Sequence, residues 1–230
     1  MRPIAAEPHK RISVRIPFQD VTLDGDLTLP ANAKGIVLFA HGSGSSRHSP
    51  RNQYVAQVLN RSGFATLLMD LLTPDEEALD VETRLLRFDI DLLARRLIGA
   101  VDWMQQEEST RSLPLGCFGA STGAAVALAA AAERPEFVRA VVSRGGRPDL
   151  AGGAIPRVYA PTLLIVGGHD TAIMPLNVQA LEQLAADESR MEIVPNATHL
   201  FEEPGALEQA AKLAGGWFSR FLGAAATPGA

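Results

Sequence analysis

Ser121 stands in the pentapeptide Gly119-Ala120-Ser121-Thr122-Gly123, between the apolar run Leu115–Phe118 and an alanine-rich run that Pro135 stops. A G-x-S-x-G sequence at a strand-to-helix junction makes a turn so tight that a β-carbon at either glycine would clash. It holds the serine in a strained conformation with its hydroxyl over a helix N-terminus. Such a serine can attack an acyl carbon if a base lies within hydrogen-bond reach and a carboxylate orients that base. The candidate bases are His9, His41, His48, His169 and His199. For an elbow serine in mid-sheet the expected chain order is serine, acid, histidine. Only Asp170, in Gly168-His169-Asp170, and His199, in Ala197-Thr198-His199, satisfy it with both residues just past predicted strands.

His199 is therefore the expected base and Asp170 its orienting acid, with Asp149 the rival. His169 is expected only to line the region, Asp70 to be structural, and Glu202 and Glu203 to form a solvated approach to the last helix. A tetrahedral oxyanion needs two backbone N–H donors aimed at one point. Thr122 supplies one at the start of the helix. The second is expected from His41-Gly42-Ser43-Gly44, with Ser43 preferred and Gly42 next, since glycines let backbone approach a substrate closely. His41, Gly42 and Arg144 are the candidate substrate-binding residues. Arg144 and Arg147 either meet a substrate carboxylate or pair with Asp149 or the acidic excursion, and pairing is the reading we favour. Cys117, four residues before Ser121 and inside a strand, is expected to be a small buried thiol.

The elements that must position these residues follow from hydrophobic periodicity. Ile12–Pro17 and Val21–Leu29 alternate and predict an N-terminal antiparallel pair. Gly35–Ala40, Phe64–Met69, Leu115–Phe118, Val138–Val142, Thr162–Val166 and Met191–Val194 read as buried strands. Helices are predicted over Pro50–Arg61, Arg87–Gln106, the run after Ser121, Leu176–Ala186 and Leu207–Leu222. Leu71–Asp89 is acidic and aperiodic, a surface excursion that forms a rim or lid, and Ser143–Pro156 reads as a glycine-rich loop. Strands alternating with helices predict a mostly parallel sheet covered on both faces. In such sheets ligands bind beyond the carboxyl ends of the strands.

With 230 residues, 47% hydrophobic and 20% charged, the chain suits one α/β domain over 1–230, with 223–230 a frayed tail. It is large enough to bury about seven-tenths of its unfolded surface. A net charge of −5 with scattered arginines leaves no footprint for nucleic acid. A single cysteine allows no internal disulfide. No apolar leader opens the chain, and no run approaches the roughly 18 residues of a membrane span. A cytoplasmic protein without nucleic-acid or membrane partners is expected. Oligomeric state cannot be read.

No phosphate-binding G-x-x-x-x-G-K loop and no zinc-spaced His or Cys pair is present. In the Gly42/Gly44 loop the third glycine of a dinucleotide fingerprint is replaced by Arg47. No metal and no cofactor is expected.

Together the elbow, Gly168-His169-Asp170, Ala197-Thr198-His199 and the His41–Asn52 stretch (H-G-S-G-S-S-R-H-S-P-R-N) resemble an α/β-hydrolase of the dienelactone hydrolase type, from Ile12 to Leu222. The His41–Asn52 stretch and Ser143–Leu150 look specific to a bacterial subgroup. The resemblance implies an α/β-hydrolase fold with eight strands and helices on both faces. It also implies a metal-free Ser-His-Asp mechanism acting on a small-molecule ester or lactone. Dienelactone hydrolases proper place cysteine at the elbow where this chain has Ser121. Phosphotriester hydrolysis is a conceivable side activity of the same oxyanion site. The alternative from another class is a hydrolase-shaped binding or interaction protein without catalysis.

Overall fold

The computed structural model describes residues 10–223, so the expected tail falls, except for Gly223, outside the described residues, as does His9. Eight strands form one sheet: β1 (Lys10–Phe18), β2 (Val21–Leu29), β3 (Ile36–Ala40), β4 (Ala65–Met69), β5 (Leu115–Ala120), β6 (Val138–Arg144), β7 (Thr162–Gly167) and β8 (Arg190–Val194). They lie in the order β1-β2-β4-β3-β5-β6-β7-β8. The β1–β2 and β2–β4 pairs are antiparallel, and every pairing from β4 to β8 is parallel. Six helices accompany it: α1 (Pro50–Arg61), α2 (Pro74–Thr83), α3 (Ile90–Gln106), α4 (Thr122–Glu133), α5 (Met174–Leu181) and α6 (Ala206–Leu222).

The difference between edge and centre follows from what covers each strand. All five residues of β3 and of β4 are buried, because helices pack on both faces; β3 is an unbroken apolar run, and the one polar residue of β4, Thr66, accepts from Asn60 at 3.0 Å. Val37, Phe39 and Phe118 face α1 and α6 on one side, in a core closed by Trp217 and Phe218. Leu38, Cys117 and Leu115 face α3 and α4 on the other. Helix α4 has small residues almost throughout and ten of its twelve are buried, so it lies close against the sheet. Burial pushes the Cys117 thiol up to about 12, as suits an inert core residue.

Apart from shifted ends, as in α5, which spans Met174–Leu181 where Leu176–Ala186 is expected, three elements differ from the sequence expectation. The acidic excursion contains α2 and a 3₁₀ turn at Leu86–Phe88. Its apolar signal is absent because α2 turns only Asp80 inward. What holds it is polar. Thr73 and Glu76 form a reciprocal capping box. Buried Arg96 of α3 clamps both Glu76 oxygens at 2.5 and 2.7 Å and donates to the Leu71 carbonyl at 2.7 Å. That guanidinium holds the Glu76 carboxyl below its usual range. At the far end buried Asp80 accepts the Arg87 backbone N–H and its Nε–H at 3.0 and 2.5 Å. The excursion is a rim fixed at both ends. The second difference is that β6 continues through Ser143 and Arg144, polar residues that masked the strand. The third is that Pro148–Arg157 is short helical turns broken at Gly152, not open loop.

His41, just past β3, joins two strand ends. Its Nδ1–H donates to the Gly42 carbonyl at 3.0 Å, and its Nε2 accepts the Leu71 N–H at 3.1 Å. Accepting at Nε2 requires the neutral ring, and burial pushes its pKa below the ordinary value, against weaker opposing effects of the Gly42 carbonyl, Asp70 and Glu77. With both nitrogens engaged, the ring positions the loop, and His41 also lines the cavity beside it.

Two predictions follow from these supports. Arg96→Met removes the bonds to Glu76 and to the Leu71 carbonyl and lowers unfolding stability by about 2 kcal/mol in denaturant titration. Because His41 is neutral in the folded chain and titrates near 6.5 when unfolded, its contribution is complete above about pH 6.5 and is lost as pH falls below that. The thermal midpoint therefore declines more steeply below about pH 6.5 in the parent than in His41→Asn, and equal slopes would refute the linkage.

Candidate functional site

Strand β5 ends beside β3 and β6, with Gly119 opposite Ala40 and Ala120 opposite Arg144. The chain then turns through Ser121, at φ 53° and ψ −123°, directly into α4. This is a region L-residues occupy only under constraint. The constraint is visible in the neighbours. The Ser121 N–H donates to the Arg144 carbonyl at 3.2 Å, and the Ser121 carbonyl accepts from Arg147 N–H at 3.0 Å. A β-carbon on Gly123 would overlap the Ala40 and His41 carbonyls, and one on Gly119 would overlap Gly123 and Ala124. Both glycines are thus required by close backbone approach.

The structure brings Ser121, His199 and Asp170 together. His199 Nε2 lies 3.2 Å from Ser121 Oγ, and His199 Nδ1 lies 2.7 Å from Asp170 Oδ2. The Asp170 side chain is 8% exposed, whereas that of His199 is 37% exposed. The rival Asp149 is engaged elsewhere, accepting two bonds from Arg147 at 2.9 and 2.7 Å. Asp70 accepts the Arg47 backbone N–H at 2.7 Å and pairs with its guanidinium, tying down the loop after β3. Gly42 passes over Ser121, close enough that a β-carbon there would lie 3.1 Å from Ser121 Cβ. Ser43, the expected second oxyanion donor, directs its N–H to Thr122 Oγ1 at 2.8 Å.

Arg144 pairs with neither Asp149 nor the excursion. Its side chain is buried, its guanidinium carbon lies 5.8 Å from the centre of the Phe201 ring, and its Nε and Nη1 have no hydrogen-bond partner. Burial, with Arg51 nearby, lowers it to about 10, so it stays charged at neutral pH. It sits beneath the loop that carries His199.

Several supporting residues had no signal in the sequence. Phe201, at φ 57° and fully buried, pins the His199 loop. The Thr198 hydroxyl donates to Glu203 at 2.6 Å and Arg51 to Glu202 at 3.1 Å, so these two glutamates brace the loop and are not merely a solvated approach. Buried Asn177 donates to the Gly146 carbonyl at 3.0 Å, linking α5 to the loop after β6. Each link joins positions far apart in sequence or within one irregular loop, where periodicity carries no information.

Beside the site, a cavity of 330 Å³ opens between the His41–Ser46 loop and the rim, walled by Leu72, Val81 and Leu93 with Asp80 and Arg87 behind. Among the described residues no helix is long and apolar enough to cross a membrane.

Known proteins share this fold. The sequence profile of the dienelactone hydrolase family matches residues 23–224. A solved dienelactone hydrolase from Anabaena variabilis is 59% identical, with a TM-score of 0.91 over 93% of this chain and 99% of that one. Est1E from Butyrivibrio proteoclasticus, 15% identical with a TM-score of 0.76 over 90% of this chain and 98% of that one, shares the fold. Proteins of two Mycobacterium tuberculosis strains, named "Putative phosphoribosyl transferase", are 56% identical over 215 residues, which is 93% of this chain and 47% of theirs. The chain thus spans about half the length of the curated relatives it matches. Its sheet, its helices on both faces and its match over most of its length lead to one assignment: the chain belongs to the dienelactone hydrolase family, within the α/β-hydrolase fold.

Proposed function

We propose that this chain is a serine hydrolase that cleaves carboxylic esters or lactones through an acyl-enzyme. One observation carries the reading: Ser121 Oγ, His199 and Asp170 form a continuous hydrogen-bonded chain of 3.2 and 2.7 Å at the ends of three strands. His199 Nε2 takes the Ser121 proton as Oγ attacks the carbonyl carbon. The C=O π electrons move to oxygen, and the negative charge forms over the α4 N-terminus. Asp170 holds the Nδ1–H tautomer and stabilises the imidazolium. Collapse expels the alcohol, or opens the lactone, as His199 returns the proton to the leaving oxygen. Water activated by His199 then releases the acid.

The serine suits such chemistry because its strained turn lifts the hydroxyl clear of β5, and the partly exposed His199 meets solvent water. The cavity beside the rim offers apolar walls for one half of the substrate. Arg144, buried under the His199 loop, is read as a fixed cation of that loop and not as a group reaching a substrate carboxylate. The transferase name borne by the longer mycobacterial relatives describes whole proteins. The geometry here supports hydrolysis. Phosphotriester cleavage, with a phosphoryl oxygen in place of the carbonyl oxygen, is proposed as a side activity only.

The test is a panel of short-chain aryl esters and lactones, with mass spectrometry of a fluorophosphonate adduct. The label is expected on Ser121, and Ser121→Ala is expected to lower kcat by roughly 10⁶-fold. Near-normal turnover by Ser121→Ala would end the proposal, and ligand binding without turnover in the parent would favour a silent binding protein. Asp170→Asn, which leaves the histidine in the wrong tautomer, is expected to lower kcat by about 10⁴-fold.

A further inference from the structure

Thr122 carries a hydroxyl that the mechanism above does not use. It is the first residue of α4, only 5% exposed, and its Oγ1 accepts the Ser43 N–H at 2.8 Å across 79 positions of sequence. A threonine deeper in a helix gives its hydroxyl hydrogen to a carbonyl three or four residues earlier. Here those earlier residues belong to β5, so no helical turn precedes Thr122 to accept it. A hydroxyl has one hydrogen and two lone pairs. One lone pair receives the Ser43 N–H, while the hydrogen has no acceptor among the described residues. The hydroxyl stands one residue from the nucleophile, under a loop whose Gly42 lies against Ser121.

Resting on the acyl-enzyme reading, we propose that Thr122 supplies both oxyanion donors. Its backbone N–H is one, and its hydroxyl, polarised by Ser43 N–H, is the other. When Ser121 Oγ bonds to the carbonyl carbon and its proton passes to His199, the new negative charge on oxygen attracts the Thr122 hydroxyl hydrogen, which stays on Oγ1. Ser43 then acts through Thr122 and not on the substrate. Chains of hydrogen bonds strengthen one another as charge develops at one end, so a hydroxyl already accepting an N–H is a better donor than a free one. The sequence could not reveal this. At the position after the serine only the main chain was expected to act, and the side chain acquires its role because the loop after β3 lands on it.

The test compares Thr122→Val, Thr122→Ala and Thr122→Ser for an aryl butyrate, with affinity for an aryl trifluoromethyl ketone that forms a hemiketal oxyanion on the serine. Valine keeps the shape and removes the hydroxyl. Valine and alanine variants are expected to lose about 10²-fold in kcat with KM little changed, as on removal of one oxyanion donor. They should lose a comparable factor in ketone affinity, while serine restores both. Thermal melting verifies folding, and Thr122→Ala serves if the valine variant does not fold. Undiminished or faster turnover in the folded alanine or valine variant would overturn the proposal, because Ser43 N–H would then be the direct donor and the hydroxyl its competitor. Failure of Thr122→Ser to rescue would overturn it as well, since the methyl would then be the group that matters. Failure of the underlying reading looks different: the parent itself neither turns over esters nor takes the fluorophosphonate on Ser121.

Discussion

Everything at this site depends on how closely the elbow approaches the end of β3. Gly123, in the first turn of α4, packs against the carbonyls of Ala40 and His41 with no room for a β-carbon, and Gly119 packs as closely against α4 itself. This contact brings two strand ends and a helix N-terminus to one point. It also holds Ser121 in a backbone conformation that costs about 1–3 kcal/mol. The strain persists because the elements around it are rigid: α4 is buried over most of its length, and Arg144 at the end of β6 accepts the serine N–H while Arg147 in the following loop donates to its carbonyl.

From that contact outward, the loops are held by directed polar bonds more than by apolar packing. The sheet ends at its carboxyl edge, and the loops beyond it have little hydrophobic surface to bury. Arg47 with Asp70, Arg96 with Glu76, Arg87 with Asp80, Arg147 with Asp149 and Thr198 with Glu203 each fix one loop. Neutral His41 joins the β3 and β4 ends in the same manner. The rim is consequently a wall, and the cavity beside it is bounded by apolar Leu72, Val81 and Leu93 together with the ion-paired Asp80 and Arg87. Arg144 is the exception, a buried cation with an aromatic ring for company and no carboxylate. That placement puts positive charge under the loop carrying His199.

The arrangement separates Ser121, His199 and Asp170 from most of the walls of the neighbouring cavity. Ser121, His199 and Asp170 follow the ends of β5, β8 and β7, of which β5 and β7 are buried along their whole length while β8 is the partly exposed edge strand. The walls of the cavity come from the Leu71–Asp89 excursion and the loop after β3. Changes there can reshape the cavity without moving those three residues.

Much of this was legible in the sequence because it rests on local periodicity and strand-end position. Continuous apolar runs marked the central strands, since burial on both faces excludes polar side chains. The pentapeptide around Ser121 marked the elbow, since only glycine tolerates that backbone approach. Chain order then singled out Asp170 and His199. What only the tertiary structure decided are the contacts between loops: the neutral clip of His41, the pairing of Arg147 but not Arg144 with Asp149, the helix within the acidic excursion, and the hydroxyl of Thr122 under Ser43. Local sequence reports which face of an element must be hidden from water. It does not report which polar group a loop will meet after the sheet has brought it there, and at this site those meetings set the geometry.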